Sequence, residues 1–148
     1  MKLDGKTTLL TGTSPNIMGG IAEGLAAAGA RIVCVDIDPK YAHGCARSIS
    51  VEGGQAMGLV CDVTDEEQVI ATLARVEETW GPVDILVNGA TVFNWKGVLD
   101  MPLEEWRRQT DVILTGAFLF TKHVARHLID QGRKGSIINI VSTAGHQG

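Results

Sequence analysis

Short, continuous apolar runs recur along this chain between segments of helical periodicity, and that alternation restricts the fold more than any other feature. Thr7–Thr11, Arg31–Asp36, Ala56–Val63, Asp84–Asn88 and Ser136–Ser142 read as strands. Runs such as Ile32-Val33-Cys34-Val35 and Ile137-Ile138-Asn139-Ile140-Val141 lack regular polar alternation, as parallel strands covered on both faces do. The intervening segments carry helix punctuation. Ile17, Ile21 and Leu25 share one helical face before Gly29 stops the first helix, and Asp38-Pro39 supplies an N-cap with proline in the first turn of the second. Gly53-Gly54 ends that second helix. Thr64 and Glu67 read as a capping box, followed by a stripe of Val69, Leu73, Val76 and Trp80 up to Gly81-Pro82. A fourth segment from about Pro102 to Gln131 is long enough to predict a break near Gly116. Strand–helix–strand units with right-handed crossovers build an α/β, doubly wound parallel sheet with every strand's carboxyl end on one edge.

The 148 residues, 45% hydrophobic and 20% charged, suit one domain, residues 1–148, around one core. A chain of this size buries roughly 68–70% of its unfolded surface and needs no disulfide frame or structural metal. A net charge of −4 and a pI near 5.5 leave no cationic excess for nucleic-acid phosphates. Cys34, Cys45 and Cys61 are odd in number and form no C-x-x-C pair, which argues against a disulfide scaffold or zinc site and fits a reducing cytoplasm. Charged residues interrupt every apolar stretch before membrane-spanning length, and no apolar signal segment follows Met1. The reading is a cytoplasmic protein with no membrane partner. His123 and His127 have the spacing of a metal pair, but Val124 stands where H-E-x-x-H needs its base and no third ligand is evident. No metal is expected there.

Reading the strand ends in order gives Gly12, Asp36, Asp62, Asn88 and Ser142 along one crevice. The turn Thr11-Gly12-Thr13-Ser14-Pro15-Asn16-Ile17-Met18 opens directly into a helix. A glycine turn lets backbone N–H groups approach a pyrophosphate, and the helix start adds roughly half a positive charge. Asp36, about 20 residues further on, stands where a carboxylate accepts hydrogen bonds from an adenosine ribose diol and repels a 2′-phosphate. With Pro15 rather than a basic residue in the turn, NAD is the expected cofactor. Another phosphate ligand at the first turn is the weaker alternative.

These segments resemble, over essentially the whole chain, the classical short-chain dehydrogenase/reductases. The family's TGxxxGxG is similar to Thr11 through Met18, its Asp-Val to Asp62-Val63, and its DILVNNAG to Asp84 through Thr91. Its strand-five serine segment is similar to Gly135 through Ser142. The resemblance implies a Rossmann-like sheet of five strands in order 3-2-1-4-5 with helices on both faces. It implies Gly12, Ser14, Asn16 and Ile17 at the cofactor phosphates, Asp36 and Ile37 at the ribose, Asp62 and Val63 at adenine, and Asn88, Gly89 and Ala90 along its middle. Ser142 would face a small alcohol or ketone substrate as the catalytic serine, and His146 lies in the same loop. A homo-oligomer, dimer or tetramer, goes with the family.

Four departures matter. Asn16 and Met18 replace family glycines; Asn16 is expected to tolerate left-handed backbone angles, and Gly19 and Gly20 to make room for Met18. Gly89 and Thr91 replace an asparagine and a glycine. Ile113, counted from Trp106, takes the place of the family's catalytic asparagine and cannot relay protons. The family's YxxxK tyrosine falls beyond Gly148, and Tyr41 lies in the second helix without a suitable lysine. In the family, that tyrosine exchanges a proton with the substrate oxygen while the nicotinamide exchanges hydride. The expectation is therefore a chain cut off after the fifth strand, holding the cofactor half of a dehydrogenase. The alternative is a non-catalytic NAD(H)-binding sensor or structural subunit.

Overall fold

The computed structural model describes residues 2–143. Its elements run β1 (Thr7–Thr11), α1 (Ile17–Ala27), β2 (Arg31–Asp36), α2 (Pro39–Val51), β3 (Ala56–Val60), α3 (Glu66–Trp80), β4 (Ile85–Asn88), α4 (Leu103–Thr110), α5 (Gly116–Asp130) and β5 (Ser136–Asn139). The five strands form one parallel sheet in the order β3-β2-β1-β4-β5. His146 lies outside the described residues.

The continuous apolar runs are explained by what each pleat face meets. Leu9, Val33, Val35 and Leu86 point to a layer filled by Val69 and Val76 of α3 and Phe120, Val124 and Leu128 of α5. Their neighbours Leu10, Ile32, Cys34 and Val87 point the other way, to Met18 and Ala22 of α1 and Ala46 and Ile49 of α2. Both faces are covered by helices, so neither imposes a regular polar alternation. The outer strand β5 differs: all four of its residues are exposed, Ile138 at 45%.

Several element boundaries differ from the sequence expectation. β3 stops at Val60 rather than Val63: the Cys61 N–H still bonds the Asp36 carbonyl at 3.1 Å, and the Asp62 carboxylate then accepts from the Thr64 N–H and hydroxyl. β5 stops at Asn139 rather than Ser142, because β4 ends at Asn88 and Ile140 N–H makes the last bond to it, at 2.9 Å. Asp65, not Thr64, caps α3, accepting from the N–H groups of Glu67 and Gln68 at 3.0 and 3.2 Å. The Thr64 hydroxyl is already donated to Asp62 at 2.7 Å. On α1 the buried residues are Met18, Gly19 and Ala22; Ile17 is 71% exposed, and Ile21 and Leu25 are half-buried at the edge of the layer.

The long fourth segment does not break at Gly116. α4 and α5 are joined by a π-helical turn, Asp111–Thr115, with helical backbone angles continuing through Gly116. Gly116 serves close packing instead, since a Cβ there would lie 2.5 Å from Val63 Cγ2. α4 lies beside the carboxyl edge of the sheet, where its Arg107 and Arg108 share a cleft with Gly12, Asp36 and Asp62.

At the opposite edge, Asp84 precedes β4 rather than starting it. Its carboxylate accepts from the Thr7 N–H at 3.0 Å, Lys6 Nζ at 3.1 Å and Arg133 at 2.7 Å, tying the starts of β1, β4 and β5 together. Burial alone would raise this carboxyl, but the Thr7 N–H, Arg133 and Lys6 outweigh it and hold it below the usual aspartate range.

Candidate functional site

β1 delivers its last residue, Thr11, to a turn at Gly12, whose φ of 76° favours glycine. The Gly12 N–H donates to the Val35 carbonyl at 2.8 Å, which fixes the turn to β2. Packing makes a second demand, because a Cβ at residue 12 would lie 2.6 Å from Ala90 Cα and 2.8 Å from the Gly89 carbonyl oxygen. Thr11 Oγ1 accepts from the N–H groups of Gly89 and Ala90 at 3.1 and 3.2 Å. The turn after β1 and the loop after β4 are thus one interlocked unit. The sequence reading missed Thr11, although a threonine directly before the turn glycine was the available signal.

α1 begins after Asn16, whose side chain makes no capping hydrogen bond, and its first turn carries no acidic residue. Such a start keeps its partial positive charge for an anion. Asn16 has φ of −92°, and no non-glycine residue described has positive φ, so left-handed geometry is not the reason for an asparagine here. Gly20 meets open space rather than yielding room to Met18.

Asp36 ends β2 with 8% exposure, and its Oδ1 accepts from the Asp38 N–H at 3.0 Å. Burial pushes its carboxyl above the ordinary range; the Asp38 N–H bond opposes this and the Asp38 charge adds to it. Asp62, past β3, spends one carboxylate oxygen on Thr64 at 2.9 and 2.7 Å. Asn88 behaves differently from its neighbours. It is 5% exposed, its Nδ2 donates to Asn139 Oδ1 at 2.9 Å and Thr121 Oγ1 at 3.1 Å, and it ties β4 to β5 and α5.

A cleft of about 790 Å³ follows this edge. Its walls bring together Gly12, Ser14, Asn16, Asp36, Ile37, Asp62, Val63, Gly89 and Ala90. Ile17, Asn88 and Ser142 are not in the wall: Ile17 is exposed on α1, Asn88 lies beneath, and Ser142 is exposed beyond β5. The far wall, unanticipated from sequence, comes from Arg107 and Arg108 of α4 and from Asp111 and Val112 of the π turn. Ile113 is 46% exposed and outside the wall, one helical step from Val112. A second groove, about 860 Å³ between α1 and α2, shares Asn16 and Tyr41 with the first but not the strand ends.

The two helix histidines are engaged between helices. His123 Nε2 lies 2.8 Å from Glu66 Oε1, and His127 Nε2 2.8 Å from Glu77 Oε1, joining α5 to α3. Among the described residues, no group of three or more His, Cys, Asp or Glu side chains is arranged to hold a metal. No described helix is long and apolar enough to cross a membrane.

The residues present fit a dinucleotide. A side chain at residue 12 would push the turn off the Gly89–Ala90 backbone and spoil the cleft wall, the uncapped helix start suits a pyrophosphate, and the Asp36 carboxylate on the cleft wall suits a ribose diol. The sequence profile of the short chain dehydrogenase family matches residues 6–148. Sorbitol dehydrogenase of Cereibacter sphaeroides and galactitol 2-dehydrogenase of Agrobacterium fabrum are each 36% identical over all of this chain and 57% of their own length. Among solved structures, a short-chain type dehydrogenase/reductase from Mycobacterium marinum superposes with a TM-score of 0.93 at 37% identity, over 98% of this chain and 59% of that one. NAD+-bound xylitol dehydrogenase superposes with a TM-score of 0.93 at 36% identity, over 100% of this chain and 57% of that one. The chain therefore spans a little over half the length of these relatives. The matched profile, the relatives' identity and the shared strand order together make this chain a member of the short-chain dehydrogenase family.

Proposed function

We propose that this chain is the cofactor-holding part of an NAD-dependent oxidoreductase that interconverts a hydroxyl and a carbonyl group on a small organic substrate. The carrying observation is the cleft that gathers the Gly12 turn, the α1 start and the Asp36 carboxylate on one sheet edge. Gly12, Ser14 and Asn16 would hold the pyrophosphate together with the backbone N–H of Ile17 at the α1 start, Asp36 and Ile37 the adenosine ribose, and Asp62 and Val63 the adenine, with Val112 opposite. Gly89 and Ala90 would line the middle, with Asn88 as their buried support. The bound cofactor supplies hydride exchange. Ser142 would orient and polarise the substrate oxygen. Relatives named for sorbitol, galactitol and xylitol direct the substrate class to sugar alcohols and their keto forms. Exposed Leu114 and Phe118 on one helical side support a dimer or tetramer, and the cysteine usage a cytoplasmic location.

NADH titration of the intact protein, followed by nicotinamide fluorescence, and NAD reduction with a panel of sugar alcohols test this reading. Saturable binding and turnover are expected; no NADH binding would overturn it. Ile113 in the family's asparagine position favours a second reading, a sensor or structural subunit. Binding without turnover across the panel would select that one.

Asp36 is the proposed basis for NAD over NADP. Asp36→Ala is expected to reduce the preference for NADH over NADPH by about 10–100-fold, since like charges placed together cost several kcal/mol. Its raised carboxyl also gives a pH signature. The ionised form accepts both ribose hydroxyls, so NADH affinity is full above the Asp36 pKa and falls as pH is lowered through it. In Asp36→Asn that acid limb should vanish; an unchanged limb assigns it to another group.

A further inference from the structure

Met18 and Gly89 compete for one volume. Met18 is 5% exposed in the layer with Leu10, Ala22 and Val87. A Cβ at residue 89 would lie 2.2 Å from Met18 Sδ, 2.6 Å from Cε and 2.7 Å from Cγ. All three atoms lie beyond the Met18 Cβ, so an alanine at 18 would free the space. In the resemblance traced above, residue 18 is a glycine position and residue 89 an asparagine position, and this chain reverses the sizes at both. Residue 89 is also the joint of the site: its N–H is held by Thr11 Oγ1 at 3.1 Å, and its carbonyl oxygen lies in the path of any Cβ at Gly12.

We propose that Met18 is a positioning residue for the cofactor. Its thioether fills the space behind Gly89 and seats the Gly89–Ala90 backbone against the Gly12 turn, at the wall of the cleft. The large residue at 18 and the missing side chain at 89 are therefore one coupled change. Methionine suits this place because its unbranched, three-torsion chain follows an irregular gap. The role rests on the NAD(H) reading of the cleft.

The test is a double-mutant cycle in the intact protein, reading NADH Kd well below the melting temperature together with thermal unfolding. Met18→Ala leaves a void behind residue 89, and Gly89→Asn displaces the flexible thioether into the buried layer of Leu10, Ala22 and Val87, which must absorb the shift. Each single variant is expected to bind NADH about tenfold more weakly and to melt lower. Met18→Ala/Gly89→Asn is expected to return to within about threefold of the unmodified affinity and to regain melting temperature. Met18→Leu, which refills most of the volume, is expected to stay within about threefold. Losses that simply add in the double variant overturn the proposal while leaving the NAD reading intact. Recovery of melting temperature without recovery of affinity reduces Met18 to a packing residue and overturns it as well. An unmodified protein that binds no NADH brings down the cofactor reading and the positioning role with it, whereas the melting cycle would still report the shared volume.

Discussion

Gly12→Ala is expected to weaken NADH binding by about a hundredfold or more and to lower folding stability by about 2–4 kcal/mol. Two independent physical costs fall on this one methyl group. Residue 12 has φ of 76°, where an L side chain is strained. The methyl would also meet Ala90 Cα at 2.6 Å, the Gly89 carbonyl oxygen at 2.8 Å and Ala90 N at 2.9 Å. These are backbone atoms, so no rotamer change relieves the contact. The turn must instead move away from the loop after β4, taking the Thr11 hydrogen bonds and the cleft wall with it. Gly5 provides the control. It has φ of 74° but nothing within 4 Å of where a Cβ would stand, so Gly5→Ala should cost only the backbone strain, about 1–2 kcal/mol, and leave NADH affinity unchanged. Fluorescence titration and thermal melts of both variants decide it. A Gly12→Ala protein with normal affinity would remove the close approach of turn and loop from the account.

Asp84→Ala is expected to cost about 2–3 kcal/mol of stability without touching the cleft. The Asp84 side chain is 6% exposed, whereas those of Lys6 and Arg133 are 51% and 40% exposed and regain water when the carboxylate is lost. The Thr7 N–H cannot, because Thr7 is fully buried. The cost is therefore mainly an orphaned buried donor, with smaller losses from two screened ion pairs. The pH dependence follows from the depressed folded-state pKa of this carboxyl. Its contribution is complete above the unfolded-state pKa and is lost as pH falls through the folded one. Denaturant melts between pH 7 and about pH 3 should show a steeper acid loss in the unmodified protein than in Asp84→Asn. Equal slopes would show that another carboxylate governs acid unfolding.

The strand ends were legible because a run of apolar residues stops where water or a ligand begins. Gly12, Asp36 and Asp62 were found in that way, and they share a cleft wall. Asn88 shows where the same logic thins. It too follows an apolar run, yet its amide turns inward to Thr121 and Asn139, contacts set by residues far along the chain. The far wall was hidden for a related reason. Which face of α4 and the π turn meets the cleft is set by packing between segments far apart in sequence, as at Gly116, where a Cβ would lie 2.5 Å from Val63 Cγ2. Helix ends were hard to fix where two caps compete. Thr64 and Asp65 are both good N-caps, and the choice went to Asp65 once Asp62 had taken the Thr64 hydroxyl.

Local patterning was sufficient to determine the alternation of strands and helices, the parallel sheet, the glycine turn and the acidic residue one strand away. Each depends on neighbours in sequence: period, punctuation and the polarity of a run's last residue. Tertiary structure alone decided that Thr11 clips the loop after β4, that Val112 rather than Ile113 faces the cleft, and that Met18 fills the space beside Gly89. Those outcomes are set by excluded volume and hydrogen-bond competition between segments, which no single stretch of sequence contains.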